Sequence, residues 1–130
     1  MSLLYFDSSA LVKLVVEERE SAALAGWIEA EHTMATSRLA EVEVERAARI
    51  ANPSETVARD TRRVLDSCLL VDVSRAILGD ASRLTSALVR TPDAIHLATA
   101  LRLQADALVG YDDRLATAAR ARGLRVVTPG

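Results

Sequence analysis

Four acidic residues dominate the chemistry this sequence offers: Asp7, Glu43, Asp93 and Asp112. Carboxylates gathered in one place repel and raise one another's pKa unless a cation neutralises them. Oxygen-only donors suit hard divalent ions such as Mg2+, with Mn2+ as a substitute. Two histidines and one cysteine are too few for the clusters that favour zinc or iron. The chemistry that follows is hydrolysis of a phosphodiester by water that a divalent ion activates, with no side-chain nucleophile.

Those acids matter only if the elements around them converge. Short apolar runs at Leu3–Phe6, Leu69–Val73, Ala107–Val109 and Arg125–Thr128 have strand length, and Thr33–Thr36 is a weaker fifth. Between them lie stretches with helical spacing, such as Ile77, Ala81, Leu84 and Leu88, and upstream Val57, Thr61, Val64 and Leu65. Asn52 before Pro53 and Thr91 before Pro92 read as N-caps followed by a proline in the first turn, and Gly123 reads as a helix stop. Strands alternating with helices, with few hairpin signals, predict an α/β fold: a three-layer α/β/α domain with a mainly parallel central sheet. Residues 1–130 are expected to form a single domain.

In such sheets, chemistry gathers beyond the carboxyl ends of the strands. Asp7 directly follows the first run, and Asp112 and Asp113 follow Ala107–Val109. Asp93 falls in the first turn of a largely apolar helix, DAIHLATALRL, where the helix dipole favours a negative charge. The fourth acid comes from a helix starting near Ser37. At roughly 100° per residue, with Leu39 as reference, Glu43 shares a stripe with Val42 and Ile50. Glu41 and Glu45 face solvent on the same wheel, within reach of arginines such as Arg38 and Arg49. An ionised glutamate on a core-facing stripe is costly unless paired, hydrogen-bonded or bound to a metal, which makes Glu43 the most informative residue.

Each acid also has a plainer reading. Asp7 and Asp112 suit helix N-caps, Asp113 competes with Asp112, Asp93 suits dipole compensation, and Glu43 suits a buried partner of Arg46 or Arg90. His96, three residues after Asp93 on the same helix, is placed to assist the site but reads first as a packed, hydrogen-bonded core histidine and stays outside the catalytic set. Cys68 reads as a small hydrophobe, Trp27 with Leu24 and Ile28 as core or partner surface, and Arg59, Arg62 and Arg63 as a solvated face.

A formal net charge of −2 excludes binding through an overwhelming basic surface but leaves room for local contacts with nucleic acid. The basic residues are nearly all arginine, Lys13 being the only lysine, which disfavours Schiff-base chemistry. One cysteine forms no internal disulfide, and MSLLYFD lacks the basic start of a secretory signal. A cytoplasmic protein with no membrane span is expected.

The segments LLYFDSSALVKLVVEE, TSRLAEVEVERA, RTPDAIHLATAL and LVGYDDRLATAARARGL, taken in order, resemble the PIN-domain ribonucleases, and among them the VapC toxins of bacterial toxin–antitoxin pairs. The resemblance spans essentially the whole chain. It implies metal-holding acids at Asp7, Glu43, Asp93 and Asp112, and a supporting hydroxyl at Ser9. It also implies an endoribonuclease of structured RNA such as tRNA or rRNA, restrained by a VapB-type antitoxin that inserts a basic side chain among the acids. Assembly as a homodimer through the early helices around Trp27, or as a toxin–antitoxin hetero-oligomer, is implied as well. Gly110 departs from the pattern, because such proteins often carry threonine or serine there.

Two other functions compete. A phospho-accepting receiver-like domain also clusters aspartates, but it needs a lysine near the phosphoryl group, and Lys13 is the only candidate. A catalytically silent PIN-like module would keep the fold and serve as a binding or autoregulatory partner. Four retained acids argue against it, and Gly110 argues faintly for it.

Overall fold

The computed structural model describes residues 2–28, 32–85 and 89–130. Five strands, β1 (Ser2–Phe6), β2 (His32–Ser37), β3 (Leu69–Val71), β4 (Ala107–Val109) and β5 (Val126–Val127), form one sheet in the order β3-β2-β1-β4-β5. All four pairings are parallel. Seven helices accompany them among the described residues: α1 (Ser8–Lys13), α2 (Ser21–Trp27), α3 (Leu39–Ala51), α4 (Glu55–Asp66), α5 (Arg75–Ser82), α6 (Thr91–Arg102) and α7 (Asp113–Ala121).

The pleat sorts the core into two faces, because successive strand side chains point to opposite sides. Leu4, Phe6, Ala107 and Val109 turn toward Ala10, Leu11, Leu24, Ala40, Val44 and Leu65 of α1 to α4. Tyr5 and Leu108, one residue out of phase, turn toward Leu97 and Ala100 of α6 and Leu115 and Ala119 of α7. A third cluster joins α5 to α6 through Ile77, Ala81, Ala94 and Ala98. Three layers result, with β1 central and its carboxyl end between the helical layers.

Several local expectations shift. Strand β3 stops at Val71 and β5 spans only two residues. The N-cap of α4 is Ser54, whose side chain accepts from the Val57 amide; Asn52 instead ends α3. Thr91 is the first helical residue of α6 and Arg90 holds the cap position, giving no side-chain hydrogen bond, with Pro92 in the first turn. Helix α5 ends at Ser82, so the predicted turn through Leu84 does not form, and Leu88 lies outside the described residues. Gly123 does follow α7, at φ 79°, a left-handed conformation that glycine adopts without strain.

The largest correction concerns α3. Val42 is 58% exposed and Ile50 78% exposed, so the stripe chosen from large residues is not the core face. The buried residues are Ala40, Val44 and Ala48, small side chains that let α3 pack closely on α1 and α4. Glu43 borders this alanine face, half-buried, which is why it can meet both solvent and a partner from another layer. Glu41 and Glu45 are on the outer side, paired with Arg38 and Arg62, and with Arg49, respectively. No helix among the described residues is long and apolar enough to cross a membrane.

Candidate active site

Asp7 leaves β1 at its carboxyl end and caps α1, so the N-cap reading and the site reading hold together. Its Oδ1 accepts from the Ala10 amide at 3.0 Å and from Ser9 Oγ at 2.6 Å. Ser9 Oγ also accepts the Tyr111 amide at 3.0 Å, tying the loop after β4 to the start of α1. Asp112 caps α7 in the same manner, its Oδ1 accepting from the Leu115 amide at 2.9 Å. Asp113 is the first residue of α7 and is exposed.

Glu43 reaches this edge from α3. Its Oε1 accepts from Ser8 Oγ at 2.7 Å and lies 2.6 Å from His96 Nε2. Among the described residues its partners are therefore a hydroxyl and an imidazole, and no arginine. Asp93, in the first turn of α6, is half-buried. Consecutive serines thus each hold one acid, Ser8 on Glu43 and Ser9 on Asp7.

Asp7, Glu43 and Asp112 share a pattern: each commits one oxygen to protein donors, and the second has no protein hydrogen bond among the described residues. That leaves hard, anionic oxygens for a divalent ion. No three such side chains among the described residues already close around one point, so the donor set fits an ion in chemistry without being drawn into a finished cage.

The electrostatics agree with crowded carboxylates. Burial pushes the Asp7 carboxyl up; the Ser9 and Ala10 hydrogen bonds oppose this, and the charge of Asp112 adds to it. Asp93 is raised by burial and then by Asp112, with smaller upward contributions from Asp7 and Glu43. Burial also pulls the Glu43 carboxyl upward, but the bonds from His96 and Ser8 outweigh it and the net shift is downward. Asp93 therefore feels the charges of the other three acids, and Asp7 feels that of Asp112.

Beside them opens a cleft of about 440 Å³ lined by Arg90, Asp93, Tyr111, Asp112, Asp113 and Arg114. Arg38, Arg62 and Arg102 each have carboxylate partners. Arg90 and Arg114 have none among the described residues, although three aspartates line the same cleft.

Reading the residues alone overlooked Ser8, Tyr5 and the part His96 plays. His96 is indeed core, 1% exposed, but it touches Glu43 directly. Its spacing of three from Asp93 carried the signal, since that interval returns a helix to the same face.

The sequence profile of the PIN domain matches residues 4–121, and the chain belongs to that family. Within it, the chain groups with the VapC ribonucleases. Ribonuclease VapC46 of Mycobacterium tuberculosis is 42% identical over 131 residues, covering 99% of each chain. Ribonuclease VapC35 of the same species is 40% identical over 134 residues, covering 98% of each. A toxin–antitoxin complex from Klebsiella pneumoniae contains a chain of the same fold, 25% identical, with a TM-score of 0.75 over 98% of each chain.

Proposed function

We propose that this chain is a Mg2+-dependent endoribonuclease, active also with Mn2+, that cleaves structured RNA such as tRNA or rRNA as the toxin of a VapBC pair. Its relatives are named ribonucleases. The observation that carries the reading is the proximity of Asp7, Glu43, Asp93 and Asp112, near enough that the other three charges act on Asp93 and Asp112 acts on Asp7, with three of them holding one oxygen anchored and the other without a protein hydrogen bond among the described residues. A bound divalent ion would neutralise these acids and make an attacking water more acidic.

The chain's own part is to hold that site and the substrate. Ser8, Ser9 and the two capped helices fix the carboxylates. Arg90 and Arg114 line the cleft and are suited to the phosphates on either side of the cleaved bond, because guanidinium groups bind phosphate in a planar fork. The same acidic cleft suits an arginine from a VapB-type antitoxin, and the likeness to a chain in a toxin–antitoxin complex supports such a partner. Half-buried Trp27 and Ile28, packed against the main core, support a homodimer or a larger toxin–antitoxin assembly on that side. We place the activity in the cytoplasm, where both RNA and antitoxin are met.

The test is cleavage of total RNA with Mg2+ or with chelator, by the wild-type chain and by Asp7→Asn, with new 5′ ends mapped by sequencing. Discrete ends that need Mg2+ and vanish in Asp7→Asn are expected. Ends that persist in chelator or in the variant would overturn the reading.

A further inference from the structure

Tyr5 lies on the central strand with no exposed surface, yet its hydroxyl is fully engaged. The Ser37 amide donates to its oxygen at 3.1 Å, so the tyrosine's own proton remains to be given. His96 Nδ1 stands at 2.6 Å, and the Thr36 and Thr99 hydroxyls, which also lie within reach, already donate to the Phe6 and Ile95 carbonyls. A neutral imidazole offers one donor and one acceptor. With Nδ1 accepting, the ring proton sits on Nε2, facing Glu43 Oε1 at 2.6 Å. The opposite arrangement would set the bare Nε2 lone pair against the Glu43 carboxylate at 2.6 Å, with no proton between them.

We infer that Tyr5 and His96 are positioning residues: a directional chain, Ser37 to Tyr5 to His96 to Glu43, locks the imidazole in the Nε2–H tautomer and holds Glu43 Oε1. The inference rests on the reading of Glu43 as an ion-holding acid. It also explains why a polar chain crosses between the helical layers, joining α6 on one face of the sheet to α3 on the other. Partners that orient a ligating carboxylate typically change metal affinity by about 10- to 100-fold when removed.

The experiment is calorimetric titration of the full chain with Mn2+, for wild type, Tyr5→Phe, His96→Gln and His96→Leu, with thermal melts to establish folding. In parallel, side-chain 15N spectra report the His96 tautomer; only two histidines are present, and His32→Gln assigns them. Expected are an Nε2–H signature in wild type, a mixed signature in Tyr5→Phe, and Mn2+ affinity lower by about 10-fold or more in Tyr5→Phe. His96→Gln, which keeps an N–H donor, retains more affinity than His96→Leu. A purely structural role predicts the reverse order, since leucine suits a buried site better. Wild-type affinity in a folded Tyr5→Phe, or an Nδ1–H tautomer in wild type, overturns the inference and leaves the ion site standing. A wild-type chain that takes up no Mn2+ overturns the ion-holding reading and this inference with it.

Discussion

The carboxylate of Asp7 occupies the space in which a side chain at position 110 would begin. A Cβ on Gly110 would lie 2.5 Å from Asp7 Oδ2 and 2.7 Å from its Cγ, closer than real Cβ contacts. The glycine that departs from the family's usual hydroxyl residue is therefore what lets Asp7 lie against the loop after β4.

Gly110→Ala and Gly110→Ser are expected to displace Asp7 from the Ser9 and Ala10 donors. The acid is 4% exposed, so it has little free room to move into. RNA cleavage should fall about 100-fold, as for other displacements of catalytic groups, while the circular dichroism spectrum stays native. Unchanged cleavage in folded Gly110→Ser would show that Asp7 tolerates another position.

Without a divalent ion, the site should cost stability as pH rises. The folded-state pKa values of Asp7 and Asp93 lie above the ordinary 3.8. The folded protein therefore holds those protons more tightly than the unfolded chain, and stability is lost as pH climbs from about that value through the raised ones. Glu43 runs the other way, its depressed pKa adding stability that is lost on acidification. In chelator at pH 7, Asp7→Asn should melt higher than wild type, with the gap closing at low pH. Mg2+ should stabilise wild type more than the variant. Melting curves across pH check both statements.

Arg90→Ala and Arg114→Ala should weaken RNA binding without unfolding the chain, since both side chains are exposed. Deleting one arginine–phosphate pair should reduce the slope of log affinity against log salt by roughly 0.7 for single-stranded RNA. Filter binding of end-labelled tRNA to chains inactivated by Asp93→Asn measures this. Arg120→Ala, outside the residues lining the cleft, serves as the control, and equal slopes in all of them would remove the two arginines from the RNA-binding surface.

Cys68 should report global unfolding. Burial raises its thiol pKa to about 11, and it is 9% exposed, so little thiolate exists at pH 8. Iodoacetamide should leave the native chain unmodified and label it in denaturant, as mass spectrometry would show.

The parallel sheet was readable, with Ala107–Val109 right to the residue and Leu3–Phe6 one residue short, because both are apolar runs that stop abruptly, at Asp7 and at Gly110. The side of α3 was not. Large side chains mark a core face only where there is space for them, and here Ala40, Val44 and Ala48 fill the close packing while Ile50 points outward. Glu43 was chosen through the stripe of Leu39, Val42 and Ile50, of which Val42 and Ile50 turn to solvent; it reaches the inner layers because it borders the true face from the side. Asp7, Asp93 and Asp112 were legible from their positions at element ends. Ser8 and Tyr5 were not, because their roles depend on hydrogen bonds to residues 35 and 91 positions away in the chain, which no local pattern encodes.

Pairing of β1 with β4 has a consequence for the order of events during synthesis. Strand β1 is the middle of the sheet, and its second neighbour, β4, is made only after β2 and β3. The bond from Tyr111 to Ser9 spans 102 residues, so Asp7 is made long before the loop that ties it to Asp112. Non-local closure of this kind is a late step in folding. Closure of the acidic edge thus waits for the loop after β4 and for α7, which are made after the elements that carry Asp7, Glu43 and Asp93.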